Sequence, residues 1–146
     1  MSDAGKEIQR VIGSYAAAVL TKDVDAFMRL YHPTVRVFDA WGVWLYEGAA
    51  AWRIAVEGWF ASLGGDRVKV SFSELQSSAE HAFAVVSAIV TYSAESAQGE
   101  PIRSMQNRIT WALRESGHVF RIAHEHTSAP LGFEDSKAIL VRSGGK

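Results

Sequence analysis

Two histidines flank a glutamate in RIAHEHTSAP, residues 121–130. On a strand, residues two apart share a face, so His124 and His126 point one way while Ala123, Glu125 and Thr127 point the other. An H-x-H pair can bind zinc or iron if a third ligand joins it. His32, His81, His118 and Asp39 are the candidates, and none stands at recognisable ligand spacing. The alternative, two imidazoles packed and hydrogen-bonded at a sheet or dimer face, is the expectation. No metal or other cofactor is assigned.

The same stretch also offers anion chemistry. If Ser116-Gly117 forms a two-residue hairpin turn, Arg108 of NRIT (107–110) falls opposite Glu125, and Thr110 opposite Ala123. A partly buried arginine with its fork free recognises a carboxylate bidentately. The competing reading is a cross-strand ion pair, worth little where exposed. A bulge would exchange the faces, and long curved strands often contain one.

The elements that must hold these residues follow from periodicity. Ile8, Val11, Ile12, Tyr15, Val19 and Leu20 form one helical stripe. Asp23 reads as the N-cap of a second short helix carrying Val24, Phe27, Met28 and Tyr31, ended by His32-Pro33. The stretch TVRVFDAWGVWLYEG changes period and predicts a β-hairpin around Gly42. Gly48 to Leu63 returns to helix, stopped by Gly64-Gly65. Strands are then expected at about 67–76, 81–94, 102–114 and 118–128. This is an α+β pattern. Strands this long must curve, and a curved antiparallel sheet wrapped around three N-terminal-half helices encloses a deep pocket. Phe27 and Trp52 lie on helix faces expected to meet that pocket. One domain is expected over 1–131, followed by a loosely held tail, 132–146, in which Ile139, Leu140 and Val141 could dock.

Composition excludes several classes. The chain has 146 residues, 48% of them apolar, enough for a single core. Lys and Arg number 15 against 16 Asp and Glu, a net charge of −1, so no basic surface favours nucleic acid or a membrane. Cysteine is absent, which removes thiolate nucleophiles and Cys-bound zinc. The start, MSDAGKEIQR, has no apolar signal region, so a cytoplasmic location is the expectation. Five Trp, four Tyr and seven Phe suit an aromatic-lined pocket. No Gly-rich phosphate loop or nucleophile elbow is present.

The order of these motifs resembles a known family. A helix, a short helix ending in YHP, the strand VRVFDAWG, EG opening a third helix, then a meander through NRIT to HEHTSAP is similar to the nuclear transport factor 2-like superfamily over about residues 6–131. The resemblance is closest to its SnoaL-like branch and to the association domain of calcium/calmodulin-dependent protein kinase II. It implies a cone-shaped α+β fold with one deep pocket and a homodimer through the outer sheet face. The ketosteroid isomerase relatives use a tyrosine on the first helix as oxyanion donor and an aspartate on the first strand as base. GSYAAAVLTKD and VFDAWG match those segments and place Tyr15 and Asp39 in the two roles. The second acid of those isomerases has no counterpart in 107–110, where Arg108 stands instead. The kinase association domains imply a pocket of arginines for small carboxylates. Arg108 matches one of them, while Ala88 and Thr127 fall at the others.

Two functions are therefore expected. One is a small-molecule-binding module for an anionic or carbonyl-bearing ligand, with Arg108, Glu125, Thr127, Trp52 and Phe27 in contact. The other is a cofactor-free isomerase, cyclase or hydratase using Asp39 and Tyr15.

Overall fold

The computed structural model describes residues 2–143. Helix α1 (Asp3–Thr21) starts where the Ser2 hydroxyl accepts the Gly5 N–H at 3.0 Å, satisfying one of the free donors of the first turn. Its buried residues Ile8, Val11, Tyr15, Ala18 and Val19 recur at helical spacing. Helix α2 (Val24–Met28) is capped by Asp23 and is shorter than the pattern suggests. Tyr31 does not end that helix; it opens β1 (Tyr31–Phe38). The cause is tertiary. The Leu30 carbonyl accepts the Ile122 N–H at 2.8 Å, and Tyr31 pairs with Ile122, so a strand from the far end of the chain captures these residues.

The expected hairpin is lopsided. Strand β2 is only Tyr46–Glu47, paired with Arg36 and Val37, and residues 39–45 form a loop. Gly48 then turns the chain into α3 (Ala49–Ser62) at φ 85°, a conformation open to glycine at little cost. Four long strands follow: β3 (Arg67–Glu80), β4 (Phe83–Glu95), β5 (Pro101–Ser116) and β6 (Val119–Ser128). The sheet order is β2-β1-β6-β5-β4-β3. Every pairing is antiparallel except β1 with β6, which is parallel. The result is a curved, unclosed α+β sheet with its helices drawn from the N-terminal half.

Helix α1 packs on β3 and α3 on β1, and the core fills the hollow between helices and sheet. Val86, Val90, Ile109, Trp111, Leu113, Phe120 and Ile122 supply the sheet side, each worth roughly 1.5–3 kcal/mol of burial for an aliphatic or aromatic side chain. The tail is held rather than loose up to Arg142. Ile139 N–H donates to the Pro130 carbonyl at 2.8 Å, and Gln106 N–H donates to the Leu140 carbonyl at 2.7 Å. Arg142 forms an ion pair with Glu74. Among the described residues, no helix is long and apolar enough to cross a membrane.

Candidate active site

The hollow of the sheet holds a cavity of about 750 Å³. Its walls are mostly apolar: Trp52, Val56 and Trp59 come from α3, Val68 from β3, and Trp41 and Gly42 from the loop after β1. A few polar groups converge on it, which is the usual composition of a small-molecule site. They include Tyr15 from α1, Asp39, Tyr92 from β4, Arg103 and Asn107 from β5, and Glu125 and Thr127 from β6.

Glu125 faces inward because β6 is bulged. Leu113 pairs with Ile122 but Ala112 pairs with His124, leaving Ala123 as the extra residue. Phe120 and Ile122 are buried before the bulge, Glu125 and Thr127 after it. Glu125 is 2% exposed. Its Oε1 accepts the Tyr31 hydroxyl at 2.5 Å and the Trp111 indole N–H at 2.9 Å. Burial pushes its carboxyl up to about 7; the two hydrogen bonds oppose the rise, and the Asp39 charge adds to it.

Asp39 follows the last residue of β1. Parallel pairing sets Val37 beside Glu125 and Phe38 beside His126, so the next position reaches Thr127. The Thr127 hydroxyl donates to Asp39 Oδ1 at 3.0 Å and accepts the Ala40 N–H at 2.9 Å. Burial raises the Asp39 carboxyl above its ordinary range, against hydrogen bonds from Thr127 and the Trp41 and Ala40 backbone. Tyr15 and Tyr92 share a hydrogen bond of 2.8 Å, and burial pushes both phenols up, so both keep their protons at neutral pH. Two buried polar atoms on these walls lack a partner among the described residues, Trp52 Nε1 and Asn107 Oδ1. The Trp52 indole lies beside the Tyr31 hydroxyl without closing a hydrogen bond. Unmet buried groups cost about 1–3 kcal/mol each.

The profile of the SnoaL-like domain matches residues 8–132. The chain belongs to the SnoaL-like family. Solved structures of the same fold extend over nearly the whole SnoaL-like chain. An NTF2-like protein of unknown function from Pseudomonas putida KT2440 is 24% identical, with a TM-score of 0.84 over 98% of this chain and 99% of that one. A provisionally assigned calcium/calmodulin-dependent protein kinase II association domain from Xanthomonas campestris is 16% identical, with a TM-score of 0.72 over 85% and 86%. A provisionally assigned dehydratase of the NTF2-like family from Streptomyces avermitilis is 13% identical, with a TM-score of 0.74 over 87% and 96%. At these identities the likeness concerns the fold. A comparison with curated protein sequences gave no match.

In this SnoaL-like domain five of the seven residues singled out from sequence line the cavity: Tyr15, Asp39, Trp52, Glu125 and Thr127. Arg108 does not. It pairs with Ser128 rather than Glu125, is exposed on the outer face, and donates Nε–H to the Ser128 hydroxyl at 3.0 Å. The turn is Gly117-His118, not Ser116-Gly117, and together with the bulge this moves Glu125 opposite Trp111. Phe27 is fully buried behind the wall, against Tyr15 at 5.0 Å and Tyr31 at 5.3 Å between ring centroids.

His124 and His126 stand on the outer face, edge-on to Phe38. His124 donates Nδ1–H to the Arg36 carbonyl at 2.7 Å. Among the described residues no group of three His, Asp or Glu side chains could hold a metal ion.

Tyr31, Tyr92, Asn107 and Trp111 were not foreseen. Asn107 and Trp111 share strand parity with Ile109, a usable signal. Tyr31 was hidden by a helical pattern that the β6 pairing overrides. Nothing local marked Tyr92.

Proposed function

We propose that this SnoaL-like domain binds a small, largely apolar, carbonyl-bearing organic molecule and moves a proton on it without a cofactor. One observation carries the reading: Asp39 and the Tyr15–Tyr92 pair line one aromatic-walled cavity, the acid with its carboxyl raised by burial and the phenols fully protonated. The Asp39 carboxylate removes a proton from carbon next to the carbonyl. The C–H electron pair moves into the new C–C double bond, and the carbonyl oxygen takes the charge. Tyr15 donates a hydrogen bond to that oxygen, in a site that excludes water and so strengthens it. If the ligand carries a β,γ-double bond, the charge extends to the γ-carbon and return of the proton from Asp39 to that carbon completes an isomerisation; if it carries a β-hydroxyl, that group leaves as water with the proton held by Asp39, which is a dehydration.

Thr127 orients Asp39 by its hydrogen bond. The base of the cavity carries two carboxyl groups, which disfavours an anion there. A neutral carbonyl end fits better.

A second reading, a binding module with no turnover, has its own support in the size and apolar lining of the cavity. Deuterium exchange of the α-protons of 2-tetralone in D2O, followed by NMR, separates the two. Under the catalytic reading the wild type accelerates exchange. Asp39→Asn then loses at least a hundredfold and Tyr15→Phe about a hundred- to a thousandfold, with binding retained. Wild-type exchange no faster than in buffer, with the ketone still bound, removes the catalytic reading and leaves the module.

The reading includes a homodimer through the outer sheet face. Its support is the exposed apolar pair Phe83 and Val85, 56% and 53% exposed, on the same sheet face as the Phe38, His124 and His126 cluster, with Ala112 between Val85 and His124.

A further inference from the structure

Arg103 shares strand parity with Asn107, Ile109 and Trp111, so it stands on the hollow face of the sheet, and it lines the cavity. Among the described residues it is the only Lys, Arg or His that does so. It is exposed, and its guanidinium makes no ion pair or hydrogen bond with any described residue. Glu95, one position along β4 from its strand partner Ala94, is already engaged by Arg67 at 3.0 Å and Lys69 at 3.4 Å.

The acids lie elsewhere along the same cavity. Ile109 pairs with Thr127, which holds Asp39, and Arg103 is six residues further along β5. At about 3.3 Å per residue the strand path between those levels is roughly 20 Å, and curvature shortens the direct span. No cation is among the groups that shift Asp39 or Glu125, as remoteness requires. Tyr92 pairs with Met105, two positions from Arg103, so the Tyr15–Tyr92 pair lies between the two ends: the cavity has carboxyl groups at one end and a single free guanidinium at the other.

We propose that Arg103 is a specificity-determining anchor, and that the ligand is an elongated carbonyl compound with a carboxylate at the end remote from the carbonyl. This rests on the carbonyl reading of the Asp39 end. The planar fork of an arginine matches a carboxylate in two parallel hydrogen bonds. At an exposed rim the carboxylate keeps part of its hydration and escapes the penalty of full burial. The apolar middle of the ligand fills the space between Trp52, Trp59 and Val68.

The test uses 6-oxo-6-phenylhexanoic acid and its methyl ester as matched probes, with affinities measured by calorimetry on the wild type, Arg103→Ala and Arg103→Lys. The acid is expected to bind the wild type about tenfold more tightly than the ester, the range of one charge-assisted contact. That preference should shrink as salt rises. Arg103→Ala should remove the preference while leaving ester affinity unchanged, and Arg103→Lys should retain part of it. Equal binding of acid and ester to the wild type, or a preference that survives Arg103→Ala, overturns the anchor and leaves the carbonyl reading standing. If neither probe binds, the carbonyl reading fails, and the anchor fails with it.

Discussion

Glu125 has both of its protein hydrogen bonds on one oxygen, from Tyr31 and Trp111, and lines the cavity with the rest of its carboxyl. Its group is raised to about 7 by burial, from an ordinary value of 4.5. The folded protein therefore keeps a proton that the unfolded chain releases as pH rises through that interval. Folded binds more protons than unfolded, so stability falls with rising pH between about 4.5 and 7, by on the order of 3 kcal/mol for this group alone. Glu125→Gln keeps an acceptor for Tyr31 and Trp111 and removes the titration. Its melting temperature, relative to the wild type, is expected to be several degrees more favourable at pH 8 than at pH 5. The same difference at both pH values would show that the buried carboxyl carries no such load. Asp39, also raised by burial, is tied to Thr127 and two backbone N–H groups, which oppose the rise. Of this pairing the residue types were legible in the sequence. The partners were not, because Tyr31 and Glu125 stand 94 positions apart and only the fold brings them together.

Strand β6 shows how one element sets the site. Its alternation alone leaves two choices for which face Glu125 occupies, and the bulge at Ala123 selects the inner one. The β5–β6 turn then fixes the level at which Glu125 meets its neighbours. Gly117 and His118 sit at φ 59° and 67°, the paired positive angles of a tight hairpin turn. Histidine, with Asn and Asp, is enriched in that region among non-glycine residues, whereas a β-branched residue there is an outlier. His118→Val is expected to cost about 1–2 kcal/mol, and His118→Asn close to none, in urea unfolding. The His118 side chain is 98% exposed, so no packing is lost with it. An equally harmless valine would mean that the turn relaxes and does not pin the register. The stretch RESGHV does not by itself say which two residues form the turn. Ser116 and Gly117 are both ordinary turn residues, whereas the pairing of Ser116 with Val119 is a property of two strands together.

The whole molecule adds three features that no element carries alone. The parallel pairing of β1 with β6 joins the first strand to the last and sets Asp39 beside Thr127. The tail runs back along β5, where Leu140 supplies part of the cavity wall. The outer face is a third feature of this scale. Val85, Ala112 and His124 form one row across three strands, with Phe83 exposed nearby. A stable dimer needs about 800 Å² from each partner, close to a tenth of the 8721 Å² surface. If the proposed dimer uses this row, Val85→Glu places a charge and its symmetry mate at the interface, and sedimentation equilibrium should show the monomer with its fold retained. A variant that stays dimeric, or a wild type that is monomeric at all concentrations, would exclude this face.

The sequence by itself determined the α+β class, the positions of α1 and α3, the four long strands and five of the seven cavity residues sought. The class, the helices, the strands and the wall position of Trp52 depend on local spacing, since a helical stripe or an alternating strand records which side chains must be buried together, whereas Tyr15 and Asp39 come from the resemblance of GSYAAAVLTKD and VFDAWG to a known family. Only the tertiary structure decided that Tyr31 begins a strand, that Arg108 faces outward, and that Arg103 and the Tyr15–Tyr92 pair share the cavity with Asp39. Those outcomes depend on a one-residue bulge and on pairings between distant segments. A shift of one residue in register inverts every face beyond it, and no local pattern records that choice.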